Sequence, residues 1–415
     1  MSSVRYRVHD RISWFSALAI AFFLPVFGRV VPLLILILIL NWLIDGRFVK
    51  NLWLVFKEKR RRWTFSFALL YMLYLAGMLY TTNFAYGWFD LEIKMSMFLF
   101  PLVFATSPLP LFPDERSRLV PWFFVAGCVA GALILLGRAA VNEYAYGISS
   151  SFYYMKLSWY FHASYLSMYY NFAIGFLFLQ LLQPKHRRRS DTLLIGGLIL
   201  FLMVMVLLLV SKAGLLTMVL VIIAATLYAW IRLKNGWLGM AISVGVLIVF
   251  FTAYLLAPVI FSRVAGAERA VVSAPVKNRV KAESNADRMA VWSTSVGIIK
   301  KHFLFGVGTG DVKDALLEGY RENNLIPALR HKFNAHSQFI QTFITLGLTG
   351  FLVLLASLVL PAINALRRGQ ALYLVFLMIF TLNILFESML EIQQGVVFYA
   401  FFNIFLFTSS EADSG

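Results

Sequence analysis

The sequence predicts an all-α polytopic membrane protein of about twelve transmembrane helices with one large external loop. Three observations lead there. Of 415 residues, 60% are hydrophobic and 16% aromatic, while only 14% are charged; a soluble globular chain carries about 25% charged residues. Apolar runs such as Val30–Leu43, Leu193–Val210 and Leu238–Leu256 are long enough, with their flanks, to cross a bilayer core that needs roughly 20 residues. Basic residues are concentrated between such runs. The runs are continuous rather than alternating, which excludes barrel strands, and a helix satisfies its own backbone groups in lipid.

The expected spans cover 12–27, 30–45, 64–80, 91–106, 119–140, 162–182, 193–210, 215–231, 237–257, 336–360, 371–388 and 391–409. Four basic loops set the orientation. They are Arg47 to Arg62, Lys185 to Arg189, Arg232 with Lys234, and Arg367 with Arg368. With twelve spans and an internal N-terminus, all four face the cytoplasm, as the excess of Lys and Arg on that side requires. The net charge of +17 is then partly topological and does not call for nucleic acid. Cys128 is the single cysteine and lies in an apolar span, so no intrachain disulfide forms. No cleavable signal peptide is evident, because the first apolar span runs directly into the second.

This count divides the chain into spans one to nine (1–257), an external loop (258–335) and spans ten to twelve (336–415). The loop holds twelve Lys or Arg against seven Asp or Glu. Such a balance suits either an anion-binding site or a solvated surface beside anionic lipid. Within it, Met289, Trp292, Val296, Ile299 and Phe303 recur at three- and four-residue steps, which predicts an amphipathic helix over Asp287–Phe303 capped by Ser284 or Asn285. Gly306-Val307-Gly308-Thr309-Gly310-Asp311 then ends the helix as a turn. It is only superficially a phosphate loop, since it follows a helix rather than a strand and lacks the third glycine of the dinucleotide fingerprint.

The candidate chemistry centres on His336-Ser337, followed nine residues later by Gly347-Leu348-Thr349-Gly350. An ionisable residue at the mouth of a membrane helix is a functional candidate by default. Eleven residues are close to three helical turns, so Gly347 is expected below His336 on one face of a continuous helix. Gly350 lies near the same stripe, and the small residues form a seam for another helix. A histidine can take a proton or orient a hydroxyl near neutral pH, although an interfacial polar residue reads the same way in sequence.

Cations fall on the same external side. Arg288 carries a fork suited to bidentate grip of a phosphate, unless it simply pairs with Asp287. Lys212 stands in the short turn Ser211-Lys212-Ala213-Gly214. It either supplies a second cation for a diphosphate or snorkels to headgroups. His162 opens the sixth span with Ser164, Tyr165, Ser167 and Tyr169, a face suited to a sugar groove or to an interfacial aromatic belt. Glu387 and Glu391 sit near the outer ends of the last two spans and are candidates to pair with the basic residues. Arg263, Arg269, Arg279, Arg321 and Arg330 are further anion-binding candidates. There is no Walker lysine loop, no Cys or His metal cluster and no HExxH. The expectation is chemistry without metal or cofactor.

In order and spacing, these motifs resemble the bacterial O-antigen ligases and the related O-antigen polymerases. His336-Ser337 followed by Gly347-x-x-Gly350 resembles the family signature. Ser211-Lys212-Ala213-Gly214 is similar to its Ser-Arg-Gly segment, with lysine in place of the usual arginine. Arg288 with Trp292 resembles its Arg-x-x-x-Trp helix, and Phe305-Gly306-Val307-Gly308 its Phe-Gly-x-Gly turn. The resemblance runs from about residue 160 onward. It implies a membrane-embedded, GT-C-like, metal-independent inverting glycosyltransferase in the bacterial inner membrane. Its donor would be an undecaprenyl-diphosphate-linked glycan and its acceptor lipid A–core, joined at the periplasmic face. By resemblance, His336 activates or orients the acceptor hydroxyl, Arg288 acts in catalysis, and Arg288 with Lys212 holds the donor diphosphate. The substitution at Lys212 keeps the charge but loses the planar fork, which shifts weight onto Arg288.

Two alternatives share the chemistry, an O-antigen polymerase and a protein O-oligosaccharyltransferase. A lipid-linked glycan transporter is a different class. It should show broken helices or charges near the bilayer midplane, whereas the charges in this sequence are expected at the outer edge.

Overall fold

The computed structural model describes residues 2–108, 114–183, 188–231 and 285–409, with a few isolated positions between 234 and 245. Among these residues every regular element is helical. Six helices are long and apolar enough to cross a bilayer: Gly28–Asp45, Leu119–Tyr146, Ala163–Leu182, Arg189–Leu209, Lys212–Ile231 and Gln338–Arg368. A seventh is added if Lys59–Ser66 and Leu69–Tyr80, bent by 46°, form one span. The polytopic all-α class is therefore met, while the expected count of twelve full spans is not reached among the described residues.

The shortfall has local causes. The expected span at 91–106 is divided between helix α6 (Phe84–Lys94) and helix α7 (Ser96–Thr106). The last two are helices of 16 and 17 residues, about 24–26 Å long at 1.5 Å per residue, against a hydrocarbon core of about 30 Å. The first helix, α1 (Ser2–Val26), carries Arg5, Arg7, Asp10 and Arg11 in its first half. The span expected at 237–257 lies almost wholly outside the described residues.

The chain forms two compact units, Met1–Phe124 together with Ser284–Gly415, and Val125–Glu283. In the first, α2 (Val31–Asp45), α3 (Arg47–Lys57), α4 (Lys59–Ser66) and α5 (Leu69–Gly77) follow α1 and lead into α6, α7 and the short α8 (Asp114–Ser117). The later part contributes α14 (Asn285–Lys301), α15 (Val312–Glu322), α16 (Ile326–His331), α17 (Gln338–Arg368), α18 (Ala371–Phe386) and α19 (Gln393–Ser409). Aromatic packing forms the core between α18 and α19. Phe376 and Phe398 have centroids 5.4 Å apart, Phe380 stacks on Tyr399 at 4.6 Å, and Phe124 meets Phe402 edge-on at 4.9 Å.

The first basic cluster has a structural task in this unit. Arg61 Nη1 donates to the carbonyls of Ala105 (2.7 Å) and Ser107 (2.8 Å), and Arg60 Nη2 donates to Thr408 O (3.0 Å). These carbonyls close α7 and α19, where a helix presents partial negative charge. Arg47 pairs with Asp10 and, at 2.6 Å, with Asp45.

In the second unit α9 (Leu119–Tyr146) is followed by the short α10 (Tyr154–Ser158), then α11 (Ala163–Leu182), α12 (Arg189–Leu209) and α13 (Lys212–Ile231). Helix α11 packs on both α12 and α13 and is buried along most of its length.

Two expectations about residues 285–350 are corrected. Helix α14 lies within two residues of its expected bounds, but only Trp292 and Ile299 of the expected stripe pack on its inner face. Val291, Thr294 and Ser295 are buried, whereas Met289, Val296 and Phe303 are exposed. The reason is close packing: a Cβ on Gly319 of α15 would come within 2.6 Å of Thr294 Cγ2. Small side chains occupy the closest point of contact, Met289, Val296 and Phe303 turn outward, and Trp292 and Ile299 pack, partly buried, against the cluster of Val291, Val312, Leu316 and Tyr320.

The second correction concerns the glycine seam. Helix α17 is broken at Gly347, whose φ of 65° and ψ of −158° suit glycine alone. The break is filled by backbone from the Phe-Gly-Val-Gly turn. Val307 N donates to Ile344 O (2.9 Å), Gly308 N to Thr345 O (3.0 Å), and Leu348 N to Phe303 O (2.8 Å). The small residues admit a turn rather than another helix, and the continuous three-turn face joining His336 to Gly347 does not exist.

Candidate functional site

The segment before α17 is built to hold His336. Phe333 N donates to Ala328 O (3.1 Å), anchoring the segment on α16. Trp292 Nε1 of α14 donates to Ala335 O (3.0 Å), and Ala335 N donates to Gln341 Oε1 (3.0 Å). His336 itself adopts a left-handed backbone (φ 49°) and its N–H donates to Asn334 Oδ1 (3.0 Å). Histidine tolerates this region better than most residues, though at a cost. The side chain is 5% exposed and packs edge-on to Phe333, centroids 5.1 Å apart. Ser337, in extended conformation, precedes the first turn of α17.

Arg288 lies one helical turn before Trp292 on α14. Its Nη1 donates to Phe386 O (2.9 Å) and its Nη2 to Glu387 Oε1 (2.8 Å). The ion pair is partly buried, at 25% and 12% side-chain exposure. Its carboxylate partner is thus Glu387, supplied by the connection between α18 and α19.

Glu391, on the same connection, meets a residue that sequence reasoning missed. Lys94 Nζ lies 3.3 Å from Glu391 Oε1 and bonds Asp90 one turn earlier on α6. Lys94 is 0% exposed and Asp90 3%. The signal was a charged pair four residues apart at the edge of an apolar run, a spacing that faces both groups the same way on a helix. Both charges are enclosed by protein where α6 gives way to α7.

The turn between α14 and α15 is structural. The N–H groups of Gly306, Val307, Gly308 and Gly310 go to His302 O, Ile344 O, Thr345 O and Thr81 Oγ1. Asp311 accepts from Thr82 N (2.8 Å), Asn83 N (2.7 Å) and Thr82 Oγ1 (3.0 Å). Partial burial pushes its carboxyl up, but these bonds outweigh that and hold it below the ordinary value of 3.8.

The second unit holds the other candidates. Lys212 is the exposed first residue of α13. The residues around it make the turn: Gly214 N donates to Ser211 Oγ (3.2 Å), and Asn171 Nδ2 to Gly214 O (2.9 Å). A Cβ on Gly214 would collide with Ser167. His162 Nδ1 accepts from Ser164 N (3.3 Å), so the ring caps α11, and Tyr165 is buried at 5% exposure. The polar face of α11 therefore packs, through Ser164, Ser167 and Asn171, against the start of α13. Arg330 and Arg321 are exposed on the first unit. Arg263, Arg269 and Arg279 lie outside the described residues. Among the described residues no three His, Cys, Asp or Glu side chains group as a metal site.

Fold and site together define a polytopic all-α membrane protein with a buried histidine and an arginine–glutamate pair, both held by contacts from α14. Residues 196–355 match the family model described as O-Antigen ligase. That segment contains Ser211–Gly214, Arg288, the Phe-Gly-Val-Gly turn, His336 and Gly347–Gly350, so the chain carries an O-antigen ligase family domain over it. The match supports membrane-embedded glycan transfer of the ligase or polymerase type. No curated protein matches the chain.

Proposed function

We propose that the protein is an O-antigen ligase of the bacterial inner membrane, transferring a glycan from undecaprenyl diphosphate to lipid A–core at the periplasmic face. One observation carries the reading. A single helix, α14, fixes both groups the chemistry needs: Trp292 holds the backbone beside His336, and Arg288 holds Glu387. Glycosyl transfer requires a hydroxyl, an anomeric carbon and a leaving diphosphate to be aligned, and rigid placement supplies that alignment.

In the proposed step the acceptor oxygen forms a bond to the anomeric carbon as the bond to the diphosphate oxygen breaks. The hydroxyl proton goes to His336, or is oriented by it toward solvent. The undecaprenyl diphosphate departs with the bonding electrons, and Arg288 offsets the charge that develops. An incoming diphosphate competes with Glu387 for Arg288, so the ion pair also tunes donor affinity. No cofactor enters the scheme.

The test is reconstitution of the purified protein with undecaprenyl-diphosphate-linked glycan and lipid A–core, with and without chelator. Transfer that survives chelation and is lost in His336→Ala and Arg288→Ala is expected. Lengthening of the lipid-linked glycan without transfer to lipid A–core would replace the ligase by a polymerase, and transfer to protein by a protein O-oligosaccharyltransferase. The break between α6 and α7 beside buried Lys94 favours a transporter as second reading; movement of the lipid-linked glycan across the bilayer without transfer would establish it.

A further inference from the structure

Lys94 is a fully buried ammonium that the proposed reaction does not use. A lysine inside a membrane protein is costly unless its charge is met, and it is retained where it serves a task. Its surroundings are specific. Asp90 bonds it from the same helix, Glu391 lies 3.3 Å away, and the Tyr74 ring is 4.8 Å from Nζ.

Glu391 passes the connection on. Its Oε1 accepts from Gln338 Nε2 (3.1 Å), while Gln338 Oε1 accepts from Leu390 N (2.7 Å). Gln338 Nε2 also donates to Thr342 Oγ1 (3.2 Å), which faces the Tyr74 hydroxyl at 3.4 Å. Gln338 is the first residue of α17, two past His336. The connection 387–391 is thus gripped at three points: Arg288 holds Glu387, Gln338 holds Leu390 and Glu391, and Lys94 holds Glu391. Two of those grips lie on the elements that carry the proposed catalytic groups.

We propose that Lys94 is a positioning residue for this site: by fixing Glu391 it sets the connection against which Gln338 places the start of α17 at His336 and Glu387 places Arg288. Lys94 touches no reacting atom. Two carboxylates share one ammonium, so removing Lys94 leaves like charges enclosed together, and the connection shifts to separate or hydrate them. The activity part of this inference rests on the glycan-transfer reading; the structural part does not.

The test is a double-mutant cycle in the full chain, reconstituted in lipid nanodiscs, with Lys94→Met, Glu391→Gln and the pair combined. Glycan transfer gives kcat and KM, and amide exchange over 386–392 and 334–342 reports the connection directly. Each single change is expected to lower kcat by about tenfold or more with donor KM within about threefold, since misplacement of reacting groups acts on the rate. Exchange should accelerate at Leu390, and Lys94→Arg should recover much of the rate. The combined variant should be no worse than the poorer single one, because both remove the same link. If Lys94→Met does not fold, Lys94→Met with Asp90→Asn, which leaves one carboxylate fewer, takes its place in the cycle. Additive losses, unchanged exchange, or a normal kcat per folded molecule would overturn the proposal. If the wild-type protein transfers no glycan, the functional reading falls, and the exchange data alone decide Lys94.

Discussion

Replacing Gly347 by alanine should be among the most damaging single-methyl changes in the chain. A Cβ there would meet the Leu304 carbonyl and stand 2.5 Å from Phe305 N, both backbone atoms that cannot rotate away. The backbone angles of 65° and −158° are also closed to L-residues. Conformational strain of about 1–3 kcal/mol and overpacking of about 1–3 kcal/mol together give roughly 2–6 kcal/mol, or about 10–10⁴ in the folding equilibrium. Gly306→Ala should behave alike, since its Cβ would lie 2.6 Å from Gly347 N at φ 73°. The two losses should not add, because each alone prevents the turn from entering the break. Gly297→Ala is the control: it is helical, with nothing within 4 Å of the new Cβ, and should stabilise by about 0.5–1 kcal/mol. Thermal unfolding in nanodiscs, read by intrinsic fluorescence, measures all three. A Gly347→Ala protein as stable as wild type would refute the account of the break, and with it the pairing of the two glycine motifs.

Three further outcomes are expected. Glu387→Gln should lower the donor KM by a few-fold, about 1 kcal/mol, because the Arg288 charge is no longer offset; a raised KM would mean that Glu387 mainly holds Arg288 in place. Trp292→Phe removes the bond to Ala335 O (3.0 Å), which should cost about 1 kcal/mol of stability and lower kcat more than KM; an unchanged kcat would detach α14 from the placement of His336. Asp311 gives a pH dependence. Its folded carboxyl lies below the ordinary 3.8, so its stabilisation is present above that value and is lost as pH falls through the lower folded one. Thermal unfolding between about pH 3 and 7 should show this acid loss in wild type and a flatter profile in Asp311→Asn; parallel profiles would contradict it.

Much of the architecture was legible from residue order. Continuous apolar runs and a low charged fraction require helices in lipid whatever the partners. The positions of α2, α9, α11, α12 and α13, and the bounds of α14, follow from hydropathy and helical periodicity. His336, Arg288 and Lys212 were found as ionisable or cationic residues at span ends, and Glu387 and Glu391 as carboxylates in search of cations. Pairing was beyond one-dimensional reading. The sequence shows that Arg288 needs an anion, but only the fold brings in Glu387, 99 residues away. Lys94 falls inside the expected span 91–106, and only the fold ends α6 there and closes Asp90 and Glu391 around it. Only Trp292 and Ile299 of the stripe on α14 turn inward, because periodicity reports which residues share a face, whereas the closeness of the partner helix decides which of them meet it. The glycines of α17 announced a close approach. That the visitor is the backbone of the Phe-Gly-Val-Gly turn, entering a broken helix, depends on contacts between residues some 40 positions apart, which no local preference encodes.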